Sequence, residues 1–353
     1  MIGSVNTGPA ISAVIVNFNG GELLTRSVAK LLSSSVSTEA FVVDNGSTDG
    51  SVERLRAACG RDRRLTIIDN GANLGFTRAS NIALKRAQGD LILLLNPDCI
   101  IGPDALERML ITLGRHPKAG MAGCLIRNED GSEQAGCRRS VPTPWRTLVR
   151  VLHLDKLFPN HRRFRNFVLT REPLPDAPVY VEAISGAFML VRREAIDQVG
   201  LLDEGYFLHC DDLDWCMRFQ QKGWKILFVP DVEVTHYQGT CSVGRPIFVL
   251  WHKHKGMMRF YRKFFRHQYP IPLMALVVSA VWSRFILLTI YALMKLAVRR
   301  VTIPSDPARS GKTRGIMDRP NGDDRRDSDR AEKYHGPERR VDDYKAPHSA
   351  TTR

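Results

Sequence analysis

The sequence predicts an α/β protein built on a mostly parallel sheet flanked by helices. Three observations carry that expectation. Strand-like runs alternate with helical spacing from the start of the chain, which is the rhythm of βαβ units. Each strand-like run leaves into polar or glycine-rich sequence, NFNGG, DNGSTDG, NGANLGF and NPD in turn. Finally, Leu91–Leu95 is apolar throughout, as in a strand covered by helices on both faces.

The elements follow in order. Strands are expected at Ile11–Val16, Ala40–Val43, Leu65–Ile68 and Leu91–Leu95, with helices near Glu22–Leu32, Ser51–Ala58 and Thr77–Ala87 between them. In an open parallel sheet the four strand exits line one edge, where such sheets bind ligands. The order then changes. Residues 119–137 read as a strand and a hairpin around Asp130-Gly131, and 138–178 as a Pro- and Arg-rich insertion with little periodicity, an acceptor-side loop or flexible lid. Tyr180–Arg193 reads as a strand pair leading into a short helix, Asp211–Lys222 as a helix stopped by Gly223, and Lys225–Val229 as the last strand.

At 353 residues, 43% hydrophobic and 25% charged, the chain can bury a substantial core. Its net charge of +14 is unevenly placed: residues 1–233 are nearly neutral, while Val234–Ser305 holds 11 basic residues and no acidic one. That segment contains WHKHKGMMRFYRKFFRHQY, followed by an apolar run from Ile271 to Val298 interrupted only by Arg284 and Lys295. Cations interleaved with aromatics beside an apolar run favour a membrane interface on the cytoplasmic side, and disfavour nucleic acid as the partner. A central arginine costs roughly 2.5–3.5 kcal/mol on insertion scales, so a spanning helix and an in-plane or re-entrant pair both stay open, as does a buried core pair. The domain reading is therefore an α/β domain over 1–245, membrane-associated helices over 246–301, and over 302–353 a charged tail too polar to fold alone. Ile11–Val16 is too short for the apolar core of a signal peptide, and seven cysteines without a CxxC pair fit reduced thiols.

Four groups could carry chemistry. Asp98 leaves the apolar strand through Asn96-Pro97, a stiff peptide that would hold a carboxylate for a hard divalent cation, or merely open the helix near Asp104. Asp44 heads DNGSTD, which could accept hydrogen bonds from a base or ribose but is also ordinary turn and N-cap material. Asp211, Asp212 and Asp214 open a helix, where the macrodipole favours anions; such a carboxylate can serve as a general base or simply as a cap. His236, beyond the last strand, is a structural histidine or the nitrogen of a metal site. There is no GxGxxG at the first strand exit and no GxxxxGK[ST] anywhere.

Taken in order, AVIVNFNG, VVDNGSTDGS, NLGFTRASN, LLLNPD, SGAFMLVRRE, DDLDWCMRFQQKGW and HYQGTCS resemble the family 2 glycosyltransferases with a GT-A fold, and particularly their bacterial rhamnosyltransferase-like branch, over residues 11–245. The resemblance implies an inverting transfer from a nucleotide-sugar donor. Asp44 would contact the base with Val16 and Phe18 beside it, and Asn73, Arg78 and Asn96 would complete the nucleotide site. Asp98 and His236 would hold Mg2+ or Mn2+, Asp212 would be the catalytic base, and Gly186, Asp211 and Asp214 would support the acceptor side. The implied acceptor is a polyprenyl-diphosphate-linked or other cell-envelope glycan at the cytoplasmic face of the inner membrane, and dTDP-rhamnose is the first donor to test.

Three departures stand out. Asn96 replaces the first acid of the DxD pattern, Ser80 stands where many relatives carry arginine, and no QxxRW follows DDLD, against a processive synthase. Two other readings compete. A sugar nucleotidyltransferase would need a basic phosphate loop near the first strand, yet no lysine or arginine precedes Arg26. A non-catalytic glycan-binding protein of the same fold would not need Asp98, Asp212 and His236 together.

Overall fold

The computed structural model describes residues 10–158, 161–164, 167–237, 239 and 246–302. The expected alternation is present: β1 (Ile11–Asn17), α1 (Gly21–Leu32), β2 (Thr38–Asp44), α2 (Ser51–Cys59), β3 (Leu65–Asp69), α3 (Phe76–Leu84) and β4 (Leu91–Leu95). These strands pair in parallel, with Asn17 level with Asp44, and Asp44 with Asp69, at their exit edge. β1 is buried along its whole length, because α1 covers one face of the sheet and α3 the other.

Beyond β4 come β5 (Cys99–Ile101), α4 (Ala105–Gly114), β6 (Ala119–Arg127), β7 (Arg138–Arg139), α5 (Pro144–Val151), α6 (Leu154–Leu157), β8 (Val179–Val181), β9 (Ala183–Ile184), β10 (Phe188–Arg192), α7 (Arg193–Val199), α8 (Asp211–Gln221) and β11 (Lys225–His236). The described strands form a nine-stranded sheet in the order β3-β2-β1-β4-β10-β6-β11-β5, with β8 also on β11. β10 lies antiparallel between β4 and β6, so its N-terminal turn sits at the same edge as the exit of β4.

Three local features differ from expectation. β5 is too short to leave a periodic signal and exists because it pairs with the end of β11. β11 continues past Val229 to His236 through a register shift that absorbs Pro230, which is what delivers the histidine to the edge. The 138–178 insertion carries α5, capped by the Thr143 hydroxyl on the Arg146 N–H, and β7 paired with β9.

Two helices complete the described body, α9 (Pro246–Phe265) and α10 (Ile271–Thr302). Phe260, Tyr261, Phe264 and Phe265 of α9 share one apolar cluster with Trp215 and Phe219 of α8 and Val277 and Val281 of α10. Polar contacts fix the same docking. Arg259 Nη2 reaches both oxygens of Asp203 at 2.8 and 3.0 Å, and Lys263 Nζ bridges Asp203 at 2.8 Å and Asp214 at 2.6 Å. Burial works against the charge of Asp203, but Lys263, the Gly205 N–H and Arg259 outweigh it and hold its pKa at about 2. That contribution to stability is present above the ordinary carboxylate range and is lost only as pH falls towards 2.

Asp214 is 1% exposed and also accepts from Arg218 Nε at 2.7 Å, so Lys263 supplies half of its compensation. Lys263→Met is expected to cost roughly 1–3 kcal/mol, since it strips one partner from a buried charge. Chemical denaturation reads this directly, and an unchanged midpoint would remove the anchoring role.

α10 is one continuous helix, not a pair. Residues Ile271–Lys295 are long and apolar enough to cross a membrane, at about 1.5 Å per residue against a hydrocarbon core of about 30 Å. Only 11% of its most apolar window is buried, and Leu287 is 67% exposed. The expected domain boundary near residue 245, the residues Gln238 and Thr240–Ser242 of the His236 motif, and the tail from 303 onward lie outside the described residues.

Candidate active site

The edge where β1, β2 and β4 end gathers most of the expected residues into three adjoining groups. The first is the DNGS loop. Asp44 is buried and takes four hydrogen bonds: Asn17 Nδ2 (2.8 Å) and Ser47 Oγ (2.6 Å) on one oxygen, Gly46 N (3.1 Å) and Ser47 N (2.9 Å) on the other. A carboxylate has about four acceptor positions, so contact with a base would displace one of these donors. Asn45 bonds Asn73, Asn70 and the Gly75 carbonyl, joining this loop to the start of α3. Gly75 has φ +83°, and a Cβ there would meet Phe207 at 2.8 Å, so only glycine lets the 201–207 loop close on α3. Val16 packs in the core beneath, and half-buried Phe18 follows β1. Arg78 is exposed on α3, its Nε 3.7 Å from Glu204.

The second group is built by the Asn96–Cys99 turn and the end of β11. His236 and Asp98 are both buried, with Nε2 and Oδ1 3.1 Å apart. Gln134 Oε1 accepts the Nδ1–H of His236 at 2.7 Å, and Asn96 Nδ2 donates to Nε2 at 3.3 Å. Gln134 thus selects the tautomer that leaves the Nε2 lone pair facing Asp98, the arrangement used to orient metal-binding imidazoles. Cys99 Sγ belongs to the same cluster but donates to the Ala187 carbonyl at 3.4 Å. The oxygen and nitrogen donors of Asp98 and His236 fit a hard divalent cation that fills its other positions with ligand and water oxygens.

The third group surrounds Asp212 at the N-terminus of α8. Its Oδ2 pairs with Arg139 Nη2 and accepts the Gly186 N–H at 3.3 Å, while Oδ1 accepts the Leu213 N–H at 2.8 Å. Arg139 is itself held by the Ile184 carbonyl at 3.0 Å. Burial opposes the charge of Arg139, yet the adjacent Asp212 still raises its pKa. Asp211 behaves oppositely: burial, then the charge of Asp212, pushes its pKa up to about 7. Protonated Asp211 suits the fold, and that contribution is lost as pH rises through about 7. Asp214 turns away into the α9 anchor, so its part is supporting.

The second and third groups are coupled, because Asn96 N donates to Ala187 O at 3.0 Å, beside Gly186. The residues before α8 are strained for this purpose: His209 and Cys210 have φ of 66° and 65°, a left-handed pair without glycine. Sequence reasoning missed Arg139, Gln134 and Asn17. Arg139 was one arginine among many in an aperiodic insertion, Gln134 lay in a hairpin with no motif, and only Asn17, inside NFNG, carried a usable signal.

A strand-exit site with a carboxylate–imidazole pair and a helix-capping acid suits nucleotide-sugar chemistry, and the sequence model of glycosyl transferase family 2 matches residues 12–200. The chain belongs to that family. This glycosyltransferase is 31% identical over 262 residues to an N-acetylglucosaminyl-diphospho-decaprenol L-rhamnosyltransferase of Mycobacterium tuberculosis, covering 71% of this chain and 83% of that one. It is 27% identical to the rhamnosyltransferase WbbL of Escherichia coli, over 52% and 68% of the two chains. Among solved structures, a mannosyltransferase of Pyrobaculum calidifontis in complex with GDP-Man and Mn2+ superposes with TM-score 0.52 at 17% identity, over 78% of this chain and 69% of that one. GalNAc-T7 with UDP, GalNAc and Mn2+ gives 0.54 at 18% identity, over 74% and 49%. These likenesses establish the GT-A fold.

Proposed function

We propose that this glycosyltransferase moves a sugar, with inversion, from a nucleoside-diphospho-sugar to a hydroxyl of a polyprenyl-diphosphate-linked glycan at the cytoplasmic face of the membrane. The observation that carries the reading is the coupling of Asp212 to the Asp98–His236 pair through the Gly186–Ala187 turn. Base and leaving-group site are thereby held on opposite sides of one short peptide. In the reaction Asp212 takes the acceptor hydroxyl proton as that oxygen bonds to the anomeric carbon. The anomeric carbon–oxygen bond breaks, and its electron pair leaves on the nucleoside diphosphate. Arg139, with the Gly186 and Leu213 N–H groups, holds the Asp212 carboxylate in place, so that proton transfer can accompany attack. Mg2+ or Mn2+ held by Asp98 and His236 would neutralise charge on the departing diphosphate.

The names of the two rhamnosyltransferase relatives support rhamnose as the sugar moved, with dTDP-rhamnose the donor to test first, and the first of them supports an N-acetylglucosaminyl-diphospho-prenol acceptor. Membrane lipid as a partner rests on the exposed apolar side chains Ile286, Leu287, Ile290 and Leu293 of α10, continued by Leu152, Leu157 and Phe158 near α5. The deciding assay incubates the full chain in detergent with a short prenyl-diphospho-N-acetylglucosamine and, separately, dTDP-rhamnose, UDP-sugars and GDP-sugars. Mass spectrometry should show addition of one deoxyhexose with dTDP-rhamnose. Transfer only to prenyl-free saccharides would remove the lipid-linked acceptor.

A further inference from the structure

The proposed function leaves one structural oddity unused: an arginine in the middle of an otherwise apolar helix. Arg284 is exposed on α10, in a turn whose neighbours Trp282 and Phe285 pack against Trp251 of α9 at ring separations of 5.6 and 5.8 Å. His254, one turn further along α9, is fully buried with its ring 5.4 Å from Phe285. Its Nδ1–H donates to the Leu250 carbonyl at 2.7 Å, and its Nε2 has no hydrogen-bond partner among the described residues. Lys253 is adjacent in the chain. Its side chain is exposed, and partial desolvation of the ammonium, then the nearby charge of Arg284, lowers its pKa. Neither α9 nor α10 brings a counter-charge, since Val234–Ser305 contains no acidic residue.

The same face of α9 touches the active site. Gly256 lies so close to the strained turn before α8 that a Cβ there would sit 2.9 Å from the His209 carbonyl and 3.5 Å from Cys210. Lys253 is one turn earlier on that face. Arg139, which holds Asp212, has a buried Nε without a hydrogen-bond partner among the described residues. Arg139 is neutralised by Asp212, but neither helix offers an acid to Lys253 or Arg284, and a charged residue within an apolar span costs enough to call for a specific ligand. What the cluster lacks is a compact, multiply charged anion at the end of an apolar chain.

We propose that Lys253, His254 and Arg284, with Arg139 behind them, seat the diphosphate of a prenyl-diphosphate-linked acceptor. The prenyl chain then follows the exposed apolar face of α10, and the sugar reaches Asp212. This assignment rests on the glycosyl-transfer reading for its purpose but not for its test, which measures binding with no donor present.

Farnesyl diphosphate, farnesol and inorganic pyrophosphate are titrated into the full-length protein in detergent, with EDTA present to silence metal-dependent nucleotide binding. Arg284→Gln and Lys253→Gln are expected to weaken farnesyl diphosphate binding at least about tenfold and pyrophosphate similarly, with farnesol changed less than about twofold. Lys253→Arg, which keeps charge and bulk, should remain within about threefold of the parent, separating lost charge from lost fold. Equal weakening in Arg262→Gln, on the opposite side of α9, would reduce the effect to general electrostatics and overturn the seat. Equal competition by phosphatidylglycerol would make it a headgroup contact and also overturn it. Diphosphate binding that depends on Arg284 in a protein unable to transfer sugar would leave the seat standing and remove the function proposed above.

Discussion

Asp212→Asn is expected to lower turnover by about 10²–10⁴-fold, the range attributed to a positioned general base. The substitution is isosteric and keeps an acceptor for the Leu213 N–H, so helix α8 should start where it does now. What it removes is the proton acceptor and the negative partner of Arg139. Nucleotide affinity should stay within a few-fold, because the contacts of Asp98 and His236 lie across the Gly186–Ala187 turn and do not involve this carboxylate. Initial rates and nucleotide titration on the same preparation check both halves. Turnover within tenfold of the parent would sink the assignment, and would shift attention to Asp211, whose pKa near 7 also suits a base. Arg139→Gln offers a contrast, since it removes the cation that holds Asp212 and keeps the carboxylate itself, so initial rates should fall less than in Asp212→Asn.

Asp98→Ala should abolish metal-dependent nucleotide binding, weakening it by at least about 100-fold, because it deletes the charged ligand of the proposed Asp98–His236 site. Calorimetric titration with nucleoside diphosphate, with and without Mn2+, reads the effect. Retained metal dependence would exclude Asp98 as a ligand. Gln134→Ala should cost about 10–100-fold in metal affinity by releasing the His236 tautomer, although it touches no ligand atom facing the ion. Asn96→Asp should act in the opposite direction. It restores a second carboxylate and removes the amide that donates to His236 Nε2, so metal affinity should rise.

Much of this site was legible because sheet edges and short motifs are local. The runs ending in NFNG, DNGS and NPD place Asn17, Asp44 and Asp98 at strand exits whatever the rest of the chain does, since parallel strands joined by helices must all exit at one edge. DDLD likewise opens α8 as its charge and spacing require. The relation between these pieces was not legible. His236 reaches Asp98 because β11 crosses a bulge and pairs with β5, a strand too short to announce itself. Arg139 reaches Asp212 because β7 pairs with β9 across more than forty residues of the insertion.

The C-terminal third shows the same division. Composition alone placed cations and aromatics beside an apolar run, and that is a statement about solvent preference, which each residue carries with it. It did not tell which cations face the catalytic body. The structure pairs Arg259 and Lys263 with Asp203 and Asp214, and leaves Lys253 and Arg284 exposed on α9 and α10. Strand order, register and helix docking are set by non-local burial, which no local pattern encodes. The sequence by itself therefore determined which chemistry the chain can offer, and the tertiary structure decided which of its charges meet.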